Sequence, residues 1–179
     1  MRNVIFPTAF CAALAGLGGF AAAQTDDGIK VVIGNNLPLF TQCFENARDG
    51  ETGFEALEPC DQSLQQENLS PRKTAIVHAN RGVIYFNLGD FEAAVNDFSA
   101  SLDLGIHLRA QLHANRGLAY EALRLDALAR ADYKAALAIK DTQPTALRRL
   151  EELSKPLYER SGVPRRITAE APASNTYDR

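Results

Sequence analysis

The pentapeptide HANRG occurs at residues 78–82 and is repeated letter for letter at residues 113–117, a shift of 35 residues. Other positions agree at the same shift, and several of them are apolar or aromatic. These are Tyr85 with Tyr120, Leu88 with Leu123, Ala94 with Ala129, Asp97 with Asp132, Phe98 with Tyr133 and Leu102 with Leu137. Self-similarity at a period of about 20 to 50 residues is the signature of a repeat array. The sequence therefore predicts two consecutive copies of one structural unit.

Each copy divides into two amphipathic helices joined by a short turn. In the first copy we expect helices from about residue 73 to 88 and from 91 to 104, with Gly105 just past the end of the second. The small residues Gly82 and Ala94 let the two helices approach closely. In the second copy Arg124 replaces the turn glycine, so we expect a less sharply defined turn there.

These units resemble tetratricopeptide repeats, whose 34-residue pattern places a small residue and Gly before a Tyr in helix A, then Ala and an aromatic residue in helix B. Residues 56–64 align with the second helix of both copies and mark a degenerate unit upstream. The resemblance implies an all-α, short right-handed superhelix of about three hairpins with a C-terminal capping helix. The expected bounds are 37–160 for the array, with units at 37–66, 73–106 and 110–143 and a capping helix at 145–158.

The N-terminus resembles an export signal. Residues 4–20 are mostly apolar or small, follow Arg2, and end before three alanines, which predicts a signal peptide at residues 1–23. The alternative is a retained membrane anchor, but Pro7, Thr8 and several glycines dilute the run. Cleavage predicts a mature protein without a membrane span, in the periplasm if the cell is a Gram-negative bacterium. We expect an extended segment at 24–36 and a disordered tail at 161–179.

Once the signal is removed, Cys43 and Cys60 are the remaining cysteines. In an oxidising compartment they are expected to form a disulfide that closes the first hairpin, contributing about 3 kcal/mol. The alternative is a pair of reduced thiols that serve as small apolar core residues. Neither cysteine lies in a Cys-x-x-Cys motif, which disfavours a redox-catalytic pair.

The resemblance also implies a concave groove lined by the first helix of each unit. One recurring groove position carries Asn80 and Asn115, and the next repeat step falls on Arg149, with Arg148 beside it. Two amides and a guanidinium in one column suit an extended peptide, with a ligand carboxylate at the arginine end. The other expected groove residues are Ile76, Ala79, Val83, Phe86, Asn87, Gln111, Leu118, Glu121 and Ala122. A two-carboxylate clamp is doubtful, because Ile76, Gln111 and Thr145 stand where its lysines would be.

A structural interpretation of the same polar residues stays open. The asparagines could bond only across helices, while Arg81 and Arg116 pair with Asp97 and Asp132. His78 and His113 occupy equivalent positions and are interpreted as partly buried packing residues. His107 falls in the loop between the repeats. Zinc needs three or four convergent ligands, and the His spacing offers none, so we expect no metal and no cofactor.

Composition narrows the functional classes. Nineteen Lys and Arg against 22 Asp and Glu give a net charge of −3, which disfavours nucleic acid as a partner. Neither a Gly-x-Ser-x-Gly elbow nor a Gly-rich phosphate loop is present. We expect a non-enzymatic scaffold of the cell envelope that binds a protein or an extended peptide. The alternatives are a structural adaptor that forms homo-oligomers through exposed end repeats and, less favoured, a hydrolase with an unrecognised site.

Overall fold

The computed structural model describes residues 38–66, 69–105, 107–164 and 167. The expected signal peptide at 1–23 and the extended segment at 24–36 lie outside these residues, as does most of the expected tail.

Seven α-helices make up the described part of the chain, and none of its residues lies in a strand. They are α1 (Leu39–Asp49), α2 (Glu58–Leu64), α3 (Pro71–Leu88), α4 (Phe91–Asp103), α5 (Arg109–Ala122), α6 (Asp126–Ile139) and α7 (Pro144–Ser154), with single 3-10 turns at Phe54–Ala56 and Leu157–Glu159. Helices α3 and α4 pair as one hairpin and α5 and α6 as the next, while α1 packs on both α2 and α3. The predicted all-α helical repeat fold is confirmed. None of the helices described is long and apolar enough to cross a membrane.

The turns of the two repeats have the same geometry, although their residues differ. In the first, Gly89 has φ +87° and the Asp90 N–H donates to the Tyr85 carbonyl at 3.0 Å. In the second, Arg124 itself takes φ +63°, and the Leu125 N–H donates to the Tyr120 carbonyl at 2.8 Å. The expectation of a looser turn at Arg124 was therefore wrong. The closing hydrogen bond holds a residue without glycine's freedom in the left-handed region.

Close approach of the helices depends on one glycine in each hairpin. A Cβ added at Gly82 would lie 2.8 Å from Cε1 of Phe98, and one at Gly117 would lie 2.6 Å from Cε1 of Tyr133. Both aromatic side chains are fully buried. The ring of the second helix thus lies against the bare backbone of the first.

We expect Gly82→Ala to lower the free energy of unfolding by about 1–3 kcal/mol, because the added methyl forces the helices apart or the Phe98 ring out of its rotamer. Urea unfolding followed by circular dichroism measures this. In a Phe98→Leu background the ring is gone, and the same substitution is expected to cost much less. An equal cost in both backgrounds would show that the ring does not set the helix spacing.

A partly buried polar cluster, centred on a buried aspartate, recurs in each hairpin. Asp97 on α4 accepts hydrogen bonds from Nε and Nη2 of Arg81 at 2.7 and 2.8 Å and lies 2.8 Å from Nδ1 of His78. The remaining Nη1 of Arg81 reaches back to Asp61 on α2 at 2.7 Å. One arginine therefore closes its own hairpin and links it to the hairpin before.

The second copy repeats this cluster. Asp132 accepts from Arg116 at 2.7 and 2.8 Å and lies 2.9 Å from Nδ1 of His113, while Nη1 of Arg116 donates to Oγ of Ser99 on α4 at 2.9 Å. The structure therefore contains the pairs that the structural interpretation predicted, Arg81 with Asp97 and Arg116 with Asp132. The hydrogen bonds to Arg81 and His78 hold the pKa of Asp97 below its ordinary value, although burial of the carboxyl opposes them.

The first hairpin is joined covalently. Cys43 on α1 and Cys60 on α2 form a disulfide with their Cα atoms 4.8 Å apart, and both residues are fully buried. Nδ2 of Asn46 donates to the Ala56 carbonyl at 3.1 Å and links α1 to the 3-10 turn that precedes α2. Because α2 has only seven residues, these links offset its small packing surface.

The capping helix is shorter than predicted. It was expected over 145–158, but α7 ends at Ser154, because Pro156 disfavours helical geometry at the residue before it. Leu157 is 70% exposed and Leu147 is 50% exposed, whereas Leu153 is buried. These leucines are therefore not buried together as one face.

Candidate functional site

The expected groove residues lie on α3, α5 and α7, the first helix of each successive unit. In α3, residues 76, 80, 83 and 87 are spaced to share one helix face. Most of these side chains are buried. The buried members are Ile76, Ala79, Asn80, Val83, Phe86, Asn115, Leu118, Glu121 and Arg149; Asn87, Gln111 and Ala122 are partly buried, and Arg148 is exposed. We call this surface the α3/α5/α7 groove.

Asn87, near the end of α3, binds the main chain of a distant residue. Its Nδ2 donates to the carbonyl of Ile167 at 2.8 Å, and its Oδ1 accepts from the Ile167 N–H at 2.8 Å. One side-chain amide thus satisfies both polar groups of a single residue, as a neighbouring strand would do. The side chains of Ile167 and Val163 pack against the hydrophobic core.

Arg149 on α7 is paired with an acidic residue of the same surface. It forms a buried, bidentate ion pair with Glu121 of α5, in which Nε lies 3.1 Å from Oε2. The Tyr133 hydroxyl donates to the same carboxylate at 2.9 Å. Burial and the adjacent Glu121 charge raise the pKa of Tyr133 above its ordinary value. The expectation of a free arginine for a ligand carboxylate therefore needs correction, because Glu121 already supplies the carboxylate.

The remaining donors of Arg149 bind the C-terminal stretch. Nη1 lies 3.2 Å from the Gly162 carbonyl and 3.3 Å from Oγ of Ser161, and Nη2 lies 3.1 Å from the Ser161 carbonyl. The guanidinium therefore contacts an internal peptide main chain, not a terminal carboxylate.

The stretch leaves α7 along a fixed path. Oε2 of Glu152 accepts the Ser161 N–H at 2.7 Å, and its Oε1 lies 2.6 Å from Nζ of Lys155. The hydrogen bonds from Lys155 and Ser161 lower the pKa of Glu152 to about 2. Arg160 in turn reaches Asp126 on α6 at 2.6 Å and the Lys155 carbonyl at 2.8 Å.

The two recurring asparagines differ in their surroundings. Oδ1 of Asn115 accepts from Nε2 of Gln111 at 3.0 Å, and Oε1 of Gln111 accepts from Nε2 of Gln143 at 2.8 Å. Asn80 is 4% exposed, and its Nδ2 has no hydrogen-bond partner among the residues described. A buried amide donor without an acceptor costs about 1–3 kcal/mol, so Asn80 is the groove position with an unused hydrogen-bonding group.

The C-terminal stretch is the part that sequence reasoning missed. Residues 161–179 were expected to be disordered, but Ser161 and Gly162 bond to Arg149, and Val163 and Ile167 pack against the hydrophobic core. The tail residues at 165, 166 and 168–179 lie outside the described part. Val163 and Ile167 are four residues apart in a polar stretch with Pro164. These two residues are the one signal in the sequence, and two apolar residues are too few to define a periodicity.

Comparison with known proteins agrees with this architecture. Residues 75–104, which include most of α3 and all of α4, match the family model described as tetratricopeptide repeat. A curated relative is the mitochondrial import receptor subunit TOM34 of Mus musculus, 27% identical over 122 residues that cover 66% of this chain and 39% of the relative. This chain thus spans about two fifths of that relative's length. The search of solved structures gave no match.

The matched repeat follows the same plan as the α5/α6 hairpin. Both hairpins have a glycine facing a buried ring, and both have the histidine–arginine–aspartate cluster. Residues 75–104 thus match one tetratricopeptide repeat, and the α5/α6 hairpin repeats its plan.

Proposed function

We propose that this protein is a non-enzymatic scaffold of the cell envelope that holds an extended segment of a partner protein in the α3/α5/α7 groove. The observation that supports it most is Asn87, whose side-chain amide binds both the N–H and the carbonyl of one residue, Ile167. An amide placed in this way recognises the main chain of any segment that can lie there.

Selectivity would then come from the apolar surroundings. Val163 and Ile167 pack against the core beside this surface, so a branched apolar side chain fits there. Because main-chain hydrogen bonds do not distinguish sequences, the apolar positions would decide which segments bind.

Location in the envelope is part of the proposal. It is supported by the apolar run at residues 4–20 and by the Cys43–Cys60 disulfide, since disulfides persist in oxidising compartments. In a Gram-negative bacterium this compartment would be the periplasm.

Selection of linear peptides from a displayed library on the immobilised full chain tests the groove. We expect Asn80→Ala with Asn87→Ala to weaken binding of a selected peptide by about 10- to 100-fold, the equivalent of two or three lost hydrogen bonds. The melting temperature is expected to fall only slightly, because Nδ2 of Asn80 has no partner among the described residues and the two bonds of Asn87 go to Ile167, outside the helices.

The matched control is Asn96→Ala, an exposed asparagine on α4, which is expected to keep the affinity of the unmodified chain. If the double variant retains full affinity, the partner binds another surface.

A self-associating adaptor is the second candidate, and one observation favours it. Leu128 and Ile139 on α6 and Leu147 on α7 are each about half exposed, at the end of the array where a further repeat would pack. Sizing the protein over a concentration series distinguishes the two, because only the adaptor grows in mass without a partner.

A further inference from the structure

We propose that the C-terminal stretch, residues 161–164 with Ile167, is a resident occupant of the α3/α5/α7 groove, and that a partner segment binds by displacing it. This inference rests on the proposed function, because it specifies how the same groove is regulated and what its ligand must resemble. We call these residues the C-terminal occupant.

The contacts of the occupant are those of a bound peptide. Five of its main-chain groups bond to side chains of the array: the Ser161 N–H to Glu152, the Ser161 and Gly162 carbonyls to Arg149, and both groups of Ile167 to Asn87. Helices packed in a repeat array bury side chains against each other and bond their own main chains internally. Side chains that bond an extended main chain are instead typical of peptide recognition.

The occupant is held lightly enough to exchange. Ser161 and Gly162 are exposed, and Val163 and Ile167 are only partly buried, so little apolar surface returns to water on release. The occupant begins only seven residues after α7 ends at Ser154. A short tether gives an effective concentration of about 1 mM, which keeps even a weak segment bound until a stronger competitor arrives.

The occupant also indicates the chemistry of a competitor. It offers two consecutive carbonyls to Arg149, a branched apolar residue at the place of Val163 and a second one at the place of Ile167. An extended segment with small residues followed by two branched apolar residues four positions apart would make the same contacts. The internal carbonyls contacted by Arg149 indicate that the ligand need not end in a carboxylate.

A partner segment can form a bond beyond those of the described occupant. Asn80 lies seven residues before Asn87 on the same face of α3, about 10 Å along the helix, and its Nδ2 has no partner among the described residues. An extended ligand covers about 3.3 Å per residue. The occupant runs from Arg149 on α7 to Asn87 on α3, so a partner segment that turns along α3 after the Ile167 position and continues for about three residues would bring a carbonyl to Asn80.

The test uses a fluorescently labelled peptide with the sequence of residues 159–170, added to the full chain. We expect it to bind the Ile167→Asp chain at least about tenfold more tightly than the unmodified chain, because the substituted tail no longer competes. Ile139→Asp changes an exposed isoleucine outside the groove and serves as the matched control with unmodified affinity. A peptide that itself carries Asp at the position of Ile167 should not bind.

Two outcomes would overturn the proposal. One is equal affinity of the peptide for the unmodified and Ile167→Asp chains; the other is no binding to either. Should Ile167→Asp unfold the chain, hydrogen exchange gives an independent measurement. The Ile167 amide should exchange at least about tenfold more slowly in the unmodified chain than in Asn87→Leu, and equal rates would reject the occupant.

These results can be separated from failure of the proposed function. If the tail peptide binds Ile167→Asp but the displayed library yields no ligand on that same variant, the occupant is supported and the scaffold function is rejected. If a selected ligand binds both chains equally but loses affinity in Asn87→Leu, the scaffold function stands and displacement is rejected.

Discussion

Glu121→Leu is expected to lower the free energy of unfolding by about 3–5 kcal/mol, the cost of leaving one partner of a buried ion pair without the other. The Arg149 side chain is 3% exposed and pairs with Glu121, so its charge would stay in a site from which water is excluded. The Tyr133 hydroxyl would lose its acceptor as well. Urea unfolding monitored by circular dichroism gives the difference directly.

Two further variants isolate the cause. Glu92→Leu removes an exposed carboxylate from α4 and is expected to change stability by less than about 0.5 kcal/mol. Adding Arg149→Met to Glu121→Leu removes the orphaned charge and should recover much of the loss. If Glu121→Leu costs less than about 1 kcal/mol, the Arg149 charge is solvated and the buried pair described above is wrong.

Removing the disulfide is expected to cost about 3 kcal/mol in the chain-entropy model, because the bond closes a short loop in the unfolded chain. Cys43→Ala with Cys60→Ala should therefore lower the melting temperature, and α1 and α2 should lose protection from hydrogen exchange before α5 and α6 do. Helix α2 has seven residues and makes fewer contacts with α3 than α1 does, so packing alone holds it weakly.

A reducing agent provides the control for this prediction. It should bring the melting temperature of the unmodified chain down to that of the double variant and should not change the double variant further. An unmodified chain with the same melting temperature with and without reductant would mean that the thiols are not joined in solution.

The repeat was predictable because its constraints are local. Gly82 and Gly117 stand at the same place in two copies of one pentapeptide, and each faces an aromatic residue at a fixed spacing. The pairing of Arg81 with Asp97 is also local, because Arg81 lies on the first helix of the hairpin and Asp97 on the second. Small residues, aromatic residues and charges at a constant period therefore determined the hairpins.

The side-chain contacts within the groove were not predictable from a local pattern. Arg149 and Glu121 are 28 residues apart in different repeats, and no local pattern indicates that their side chains meet. Asn87 and Ile167 are 80 residues apart, and the tail around Ile167 has the composition of a disordered segment. The left-handed conformation of Arg124 was missed for a related reason, since a hydrogen bond across the turn compensates for a residue that ordinarily avoids this region.

Arg81 and Arg116 couple the unfolding of neighbouring hairpins. Each guanidinium bonds at once within its own hairpin and to the hairpin before it, so melting of one hairpin also removes the bond that restrained its predecessor. The link to Asp61 joins opposite charges, whereas the link to Ser99 joins a charge to a hydroxyl. Salt should therefore weaken the junction between the first two hairpins more than the next one, and added electrolyte should shift the onset of fraying toward the N-terminal end.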